Sequence, residues 1–198
     1  VLMETKDAAD MLRPGEEWGV WAKSGFQSAN KQFLETGALY GKSDFGGPIT
    51  YDGLLAGTWR KSDDMRVGGG EVYNYSNSKL TTLLANVGAE YDGHEIRGTV
   101  AYGQNDNWGP VAAIRGQSAP SDYNITRYGY KEAMRRLLTW REIEDFTSTL
   151  TYTYTGDSDL VNYRMMGSFS STGQHARRPD IPGLNPSASV GGYENDAT

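Results

Sequence analysis

Strict alternation of side-chain type over long stretches is the feature of this sequence that most restricts its fold. The segment "FTSTLTYTYT" (146–155) carries Thr or Ser at nearly every second position, with mainly apolar or aromatic residues between them. Successive side chains of a β-strand point to opposite faces of a sheet, so this pattern predicts a strand with one apolar and one hydroxyl-bearing face. The period recurs along the chain and predicts about seven strands in all, the other six lying near 16–27, 33–41, 50–61, 82–91, 95–104 and 161–169.

Connections of two very different lengths join these strands. The stretches "YDGH" (91–94) and "TGDSDL" (155–160) are short turns, and the first is an Asp-Gly hairpin of the type I′ kind. The regions 63–79, 105–133 and 171–198 are long, rich in Gly, Pro, Asn, Ser and Tyr, and without strand periodicity. Alternation of short turns and long loops is typical of an antiparallel up-and-down barrel in an outer membrane, with its long loops outside the cell.

Composition leaves two classes of all-β protein open. The hydrophobic fraction is 37% and the mean hydropathy is −0.61, which is low for a packed soluble core of this size. A transmembrane β-barrel also has low average hydropathy because lipid-facing and lumen-facing residues alternate. The absence of cysteine excludes a disulfide scaffold and a thiolate metal site, and the net charge of −6 does not favour nucleic-acid binding.

The position of aromatic residues favours the barrel. Several of them fall near the short connections, where an interfacial aromatic girdle is expected; these are Trp18, Tyr40, Tyr51, Tyr91, Tyr152, Tyr154 and Tyr163. The charged residues of the polar strand faces are predicted to face a hydrated lumen, since Arg or Lys toward lipid near mid-membrane costs about 2–4 kcal/mol; these are Lys23, Glu35, Arg60, Glu90, Arg97 and Arg164. In a soluble sandwich the same residues form a solvated face.

Catalytic patterns are weak throughout, and no enzyme is predicted. Ser170 or Ser171 with His175 would give a hydrolase only on the basis of proximity in sequence. The glycines of "RVGGGE" (66–71) are not flanked by a strand and a helix as a phosphate loop requires. The segment "YKEAMRRLLTWREIED" (130–145) fits a helix about as well as a strand, so its conformation stays open.

The first part of the chain resembles the junction between plug and barrel in TonB-dependent outer-membrane receptors. "METKDAADML" is similar to the last plug strand and its exit, and "WGVWAKSGFQSANKQFLETGALYGKSD" is similar to the first barrel hairpin. "YDGLLAGTWRKSDDMRVGGG" resembles the next strand and its loop. The run "DAADML" matches the Asp-Ala-x-Asp-Leu-Leu run of the heme and hemoglobin receptor subgroup apart from Met11.

This resemblance implies a domain division and an incomplete barrel. Residues 1–15 would be the end of the plug and its junction with the barrel, and residues 16–198 the first strands and extracellular loops of the barrel. Receptors of this kind have 22 strands around a plugged lumen, so about seven strands form only part of the wall. The remaining strands are expected from elsewhere in the same polypeptide, because an open sheet edge is not viable in lipid.

The resemblance also implies active uptake of an iron complex, heme or a ferric siderophore, across the outer membrane of a Gram-negative bacterium. The implied partners are outer-membrane lipid, the plug of the same chain, the TonB complex acting on that plug, and an iron complex or host iron protein, with no resident cofactor. Candidate ligand contacts in the extracellular loops are Tyr73, Tyr75, Trp108, Tyr123, Tyr128, Tyr130 and His175. A non-transporting barrel, either an adhesin or a porin-like protein, and a soluble all-β binding module remain as alternatives.

Overall fold

A computed structural model of the chain describes residues 5–110, 120–156, 162–178 and 193–197. Its main element is one antiparallel sheet of eight strands, in the order β1-β2-β3-β6-β7-β8-β9-β10. The strands of this sheet are β1 (Trp18–Gln27), β2 (Gln32–Ser43), β3 (Thr50–Ser62), β6 (Ser78–Tyr91), β7 (His94–Pro110), β8 (Leu138–Thr155), β9 (Asn162–Arg178) and β10 (Tyr193–Ala197). Each strand pairs with the next one along the sheet, as an up-and-down topology requires.

Small elements occupy the connections. Between β3 and β6 the chain forms a two-residue hairpin, β4 (Met65–Arg66) with β5 (Val72–Tyr73). A 3₁₀ turn (Ser28–Asn30) joins β1 to β2, and two helices, α1 (Asp122–Tyr128) and α2 (Tyr130–Leu137), precede β8. Neither of these helices is long and apolar enough to cross a membrane.

The predicted all-β fold, an antiparallel sheet that forms part of a barrel, is confirmed, and seven of its strands are 10 to 18 residues long. The loop boundaries predicted on the long-connection side were wrong. Strand β7 continues to Pro110, β8 begins at Leu138, and β9 continues to Arg178. The segment 130–145 divides between α2 and β8, and of the predicted turn 155–160 residues 157–160 lie outside the described residues.

The sheet has two ends and two faces. We call the end with the short connections, such as Tyr91 to His94, the turn end, and the opposite one the loop end. One face, the apolar face, carries residues such as Val20, Leu55 and Leu150, which are 64%, 56% and 61% exposed. The other, the polar face, carries most of the charged and hydroxyl-bearing side chains. Among the described residues, the one cluster of buried apolar side chains lies outside the strand faces, at the start of β8, and contains Met134, Leu137 and Leu138 with Tyr75 and Trp108 packed against it.

Strand β2 has the opposite orientation to the one its sequence predicted. Leu39 stands between Val20 of β1 and Leu55 of β3, so it lies on the apolar face, and Glu35 shares that face because it is four residues away. Tyr40 therefore lies on the polar face, where its ring covers Gly19, and it is excluded from the predicted girdle. Both faces of β2 contain apolar residues, so its neighbours rather than its own pattern decide which one faces outward.

Candidate functional site

The apolar face is a continuous belt of exposed large side chains. The side chains of Val87, Ile96 and Val100 are 62%, 54% and 43% exposed, and those of Met165 and Phe169 are each 61% exposed. Soluble monomers rarely expose an apolar surface of this extent, so the belt requires either lipid or a partner to cover it.

The belt crosses the strands obliquely. On β1 it runs from Trp18 to Phe26, and the register connects Trp18 across the sheet with Leu150 and Phe26 with Glu142. On β8, however, the belt begins at Tyr154 and ends at Phe146. Both edges have therefore moved by the same four residues between β1 and β8, from Leu150 to Tyr154 and from Glu142 to Phe146.

This shift measures the tilt of the strands relative to the belt. Four residues of strand are about 13 Å, and the five steps from β1 to β8 are about 24 Å, which corresponds to a tilt of about 30°. Strands of membrane barrels are tilted by roughly 35–45°. A belt of constant height across tilted strands is what a flat lipid bilayer requires.

Aromatic residues mark both edges of the belt. The turn-end edge holds the girdle predicted from the sequence, without Tyr40, and the ring of His94 joins it through a 2.7 Å hydrogen bond between Nδ1 and the Tyr152 hydroxyl. The loop-end edge holds a second series that the sequence prediction missed, namely Phe26, Phe33, Trp59, Tyr102 and Phe146. Girdles at both edges are typical of outer-membrane barrels.

The polar face carries a charged cluster centred on Arg97 of β7. Its guanidinium donates two parallel hydrogen bonds of 2.8 Å to the carboxylate of Asp52 on β3. It also donates to Glu95 at 2.8 Å and to the side-chain oxygen of Asn86 at 2.9 Å. Gly88 lies directly behind the pair, and a Cβ there would be 2.5 Å from an Asp52 oxygen. Three strands are thus joined by one residue whose planar guanidinium suits bidentate pairing.

The N-terminal segment binds to this cluster. Asn86, 1% exposed, donates from Nδ2 to the Lys6 carbonyl at 3.3 Å and to the Thr5 hydroxyl at 3.4 Å. The Asp7 carboxylate is 3.7 Å from the Arg97 guanidinium, and the next residue, Ala8, is fully buried. The segment preceding β1 therefore lies on the polar face of the sheet.

Next to the cluster, the polar face forms a cleft of about 560 Å³. Its wall includes the threonine column of β8, with Thr149 in register with Thr99 of β7 and with Ser168 of β9. Arg164, Glu95 and Asp7 add charge to the same lining. Hydroxyls and charges facing one cavity indicate a surface that is wet or covered by a polar partner.

Five of the six residues predicted to share the polar face do so. Glu90, Arg97 and Arg164 lie toward the turn end, and Lys23 and Arg60 lie toward the loop end. Glu35 was grouped with them incorrectly, because it lies on the apolar face beside Trp59. The sequence prediction did not single out Asp52, Asn86 or Asp7, and the isolated Asn86 within the apolar run "TLLANVGAEY" was the available signal.

The predicted ligand contacts are placed in different surroundings. Tyr75 and Trp108 are 4.9 Å apart between ring centroids and pack against the buried cluster of the loop end, and burial raises the pKa of Tyr75. Tyr128 lies beneath the Arg136 guanidinium at 3.8 Å, while Tyr123 is 66% exposed and accepts or shares a 2.7 Å hydrogen bond with Arg127. Tyr73 belongs to β5 and Tyr130 begins α2.

Two of these seven residues were wrongly assigned to loops. Trp108 lies in β7, and His175 lies in β9 in register with Glu142. Among the described residues, no group of three or more His, Asp or Glu side chains is arranged to hold a metal ion.

Comparison with known proteins identifies relatives along most of the chain. TonB-dependent heme receptor A of Haemophilus ducreyi is 28% identical over 194 residues, which cover 96% of this chain and 26% of that receptor. The receptor of the same name from Haemophilus influenzae is 31% identical over 182 residues, or 90% of this chain and 24% of that receptor. Lactoferrin-binding protein A of Neisseria meningitidis is 36% identical over 67 residues, 33% of this chain and 6% of that protein.

No protein-family model and no solved structure matches the chain. The resemblance to TonB-dependent receptors of the heme-receptor subgroup, predicted from the sequence, is confirmed by the two heme receptors. The chain spans about a quarter of the length of the receptors that it matches.

Proposed function

We propose that this chain forms part of the wall of an outer-membrane receptor that takes up heme, or another iron complex, into a Gram-negative cell. The relatives named as TonB-dependent heme receptors support this assignment, and so does the fold. The observation that carries the proposal is the opposite character of the two sheet faces. One is an oblique apolar belt with an aromatic edge on each side, and the other binds the chain's own N-terminal segment through Asn86 and Arg97.

In this proposal the apolar face contacts lipid and the polar face lines the interior of the barrel. The threonines of β8 and the charged residues Lys23, Arg60, Glu90, Arg97 and Arg164 then contact water or a plug. Residues 5–15 are the last part of that plug, and their attachment to Asn86 and Arg97 fixes the point where the chain passes from plug to wall. Energy for uptake comes from the TonB complex acting on the plug.

The loop end, in this proposal, faces the outside of the cell and meets the iron complex or a host protein that carries it. The side chains available for such contacts are the exposed ones of α1, α2 and β5, including Tyr73, Tyr123 and Tyr130, which are 41%, 66% and 37% exposed. Tyr75 and Trp108 instead support the loop end from within, since they pack against its buried cluster.

Growth on heme tests the proposed function directly. The full-length receptor is expressed in a heme-requiring Gram-negative host that lacks its own heme receptors, with and without a functional tonB gene. The expected result is growth on low concentrations of heme only when both the receptor and TonB are present. Growth that does not depend on the receptor, or that persists without TonB, contradicts active transport and favours a porin-like or adhesive barrel.

Residue-level contacts are tested in the same strain. Replacing Tyr123 and Tyr130 together by Ala should raise the heme concentration needed for growth about tenfold, since each aromatic contact contributes roughly 0.5–1.5 kcal/mol. Tyr163→Ala, at the turn end, serves as the matched control and should leave the heme requirement unchanged.

A further inference from the structure

Glu35 occupies an unusual position for a carboxylate. It lies on the apolar face, exposed, between Ser24 of β1 and Trp59 of β3. Phe33, the next residue outward on the same strand face, belongs to the loop-end aromatic edge, so Glu35 lies just inside the belt. No ion pair or side-chain hydrogen bond of Glu35 is present among the described residues. A charge at this depth is costly in lipid unless it has a partner.

A groove runs along the apolar face from Glu35 toward mid-belt. It has a volume of about 700 Å³ and is floored by Gly37 and Gly57, with Leu83 and Trp59 along its sides. The two glycines are in register, so the floor carries no side chains across two adjacent strands. Its width and apolar sides suit a hydrocarbon chain lying against the sheet.

Two lysines lie directly beyond the groove on the same face. Lys61 and Lys79 are in register on β3 and β6, both are exposed, and neither forms an ion pair among the described residues. Like charges directly opposite one another on a sheet face are destabilising, so an anion between them would relieve their repulsion. Asp106 is the neighbour of Lys79 in register, and its carboxylate accepts a hydrogen bond from Gln104.

We propose that Glu35, Lys61 and Lys79, together with the groove over Gly37 and Gly57, form a binding site for one phosphorylated glycolipid of the outer leaflet. The lysine ammonium groups hold a phosphate, the Glu35 carboxylate accepts a hydrogen bond from a sugar hydroxyl or amide, and an acyl chain fills the groove. The inference rests on the proposed position in the outer membrane. It accounts for a carboxylate, two cations and a side-chain-free groove that are adjacent on the surface facing lipid.

The orientation of the site agrees with this ligand. The lysines lie beyond the loop-end aromatic edge, at headgroup level, whereas the groove lies inside the belt, at acyl-chain level. Glu35 lies between the two, where sugar and ester groups of such a lipid are found. A soluble phosphorylated compound would leave the groove empty, so the arrangement favours an amphiphile.

Native mass spectrometry of the full-length receptor measures the binding. The receptor is purified in detergent, mixed with lipid A carrying two phosphates or with enzymatically dephosphorylated lipid A, and the retained lipid is counted. The wild-type receptor should retain one phosphorylated lipid A and much less of the dephosphorylated form. Lys61→Gln combined with Lys79→Gln should weaken retention by about tenfold or more, because charge-assisted hydrogen bonds to phosphate are lost.

Three further variants separate the parts of the site. Gly37→Leu fills the groove without altering a charge and should weaken retention of both lipids. Glu35→Gln should have a smaller effect than loss of the lysines, of about threefold, since an amide oxygen still accepts a hydrogen bond. Lys131→Gln removes a positive charge from an exposed position on α2 and should leave retention unchanged.

Equal retention of phosphorylated lipid A by the wild type and the double lysine variant would overturn the inference, and so would equal retention of the two lipid forms by the wild type. The proposed uptake function is judged separately, by heme-dependent growth of the same variants. Normal growth with unselective lipid binding refutes the lipid site alone, whereas loss of membrane insertion in the wild type refutes both.

Discussion

The two faces of this sheet differ in how they treat the same kind of residue. On the polar face, Arg97 is held by Asp52, Glu95 and Asn86, and the N-terminal segment covers part of it. On the apolar face, large side chains such as Leu150 are left uncovered by the protein itself. In a soluble protein the covered face is apolar and the exposed one is polar. Here the assignment is reversed, which is the arrangement that a lipid environment selects.

This difference teaches that the molecule is organised around its polar side. Ionic and amide contacts from three strands converge there, whereas the apolar side contributes by its area and its aromatic edges. A substitution should therefore have an effect set by the face on which it falls, even between adjacent residues of one strand.

The largest effect is expected from placing a charge in the middle of the belt. Leu150→Arg puts a guanidinium at mid-belt on β8 and should destabilise the full-length receptor in lipid by about 2–4 kcal/mol. The adjacent Thr149→Arg places the same side chain on the polar face and should cost markedly less. Urea unfolding in phosphatidylcholine vesicles measures both, and equal costs for the two variants would contradict the assignment of the faces.

The next largest effect is expected from breaking the charged cluster. Arg97→Met leaves the Asp52 carboxylate, 10% exposed, without its bidentate partner and should cost about 2–3 kcal/mol, somewhat less than for a fully buried pair because water reaches the guanidinium. Arg60→Met, which removes a guanidinium from the same face without touching the cluster, is the control. Unfolding free energies that differ by less than 0.5 kcal/mol, roughly the error of such measurements, would show that the cluster does not stabilise the wall.

A smaller effect is expected where the N-terminal segment meets the sheet. Asn86→Ala removes the donor to the Lys6 carbonyl and should cost about 1 kcal/mol, as for the loss of one or two neutral hydrogen bonds. Its clearer consequence is faster trypsin cleavage after Lys6 and Arg13, because the segment is released more often. Thr99→Ala, in register with Asn86, should leave the cleavage rate unchanged. Unchanged cleavage in Asn86→Ala would show that the segment is held by other contacts.

The sequence predicted the strands and one of the two aromatic girdles because alternation and tyrosine position are local properties of the chain. It assigned the faces of β8 correctly, since threonine alternates there with Phe146, Leu150 and Tyr152. It assigned β2 incorrectly because Leu34 and Leu39 lie on opposite faces of that strand, and only the register with β1 and β3 decides between them.

The Arg97 cluster was beyond sequence reasoning for a related reason. Its members come from positions 7, 52, 86, 95 and 97, and no local spacing connects them. The extended ends of β7, β8 and β9 were missed because their residues are polar on both faces, which is the composition of a loop. Strands that continue beyond a membrane lose the alternation that reveals them within it.

Site-directed spin labelling along β8 tests the central claim, that the apolar face meets lipid and the polar face lies inside. The chain itself contains no cysteine, so single cysteines at successive positions from 146 to 154 can be labelled in the full-length receptor in vesicles, after any cysteine elsewhere is replaced. The account predicts that collisions with lipid-soluble oxygen are frequent at positions 146, 148, 150, 152 and 154 and infrequent at 147, 149, 151 and 153. An absence of this alternation, or its reversal, would contradict the account.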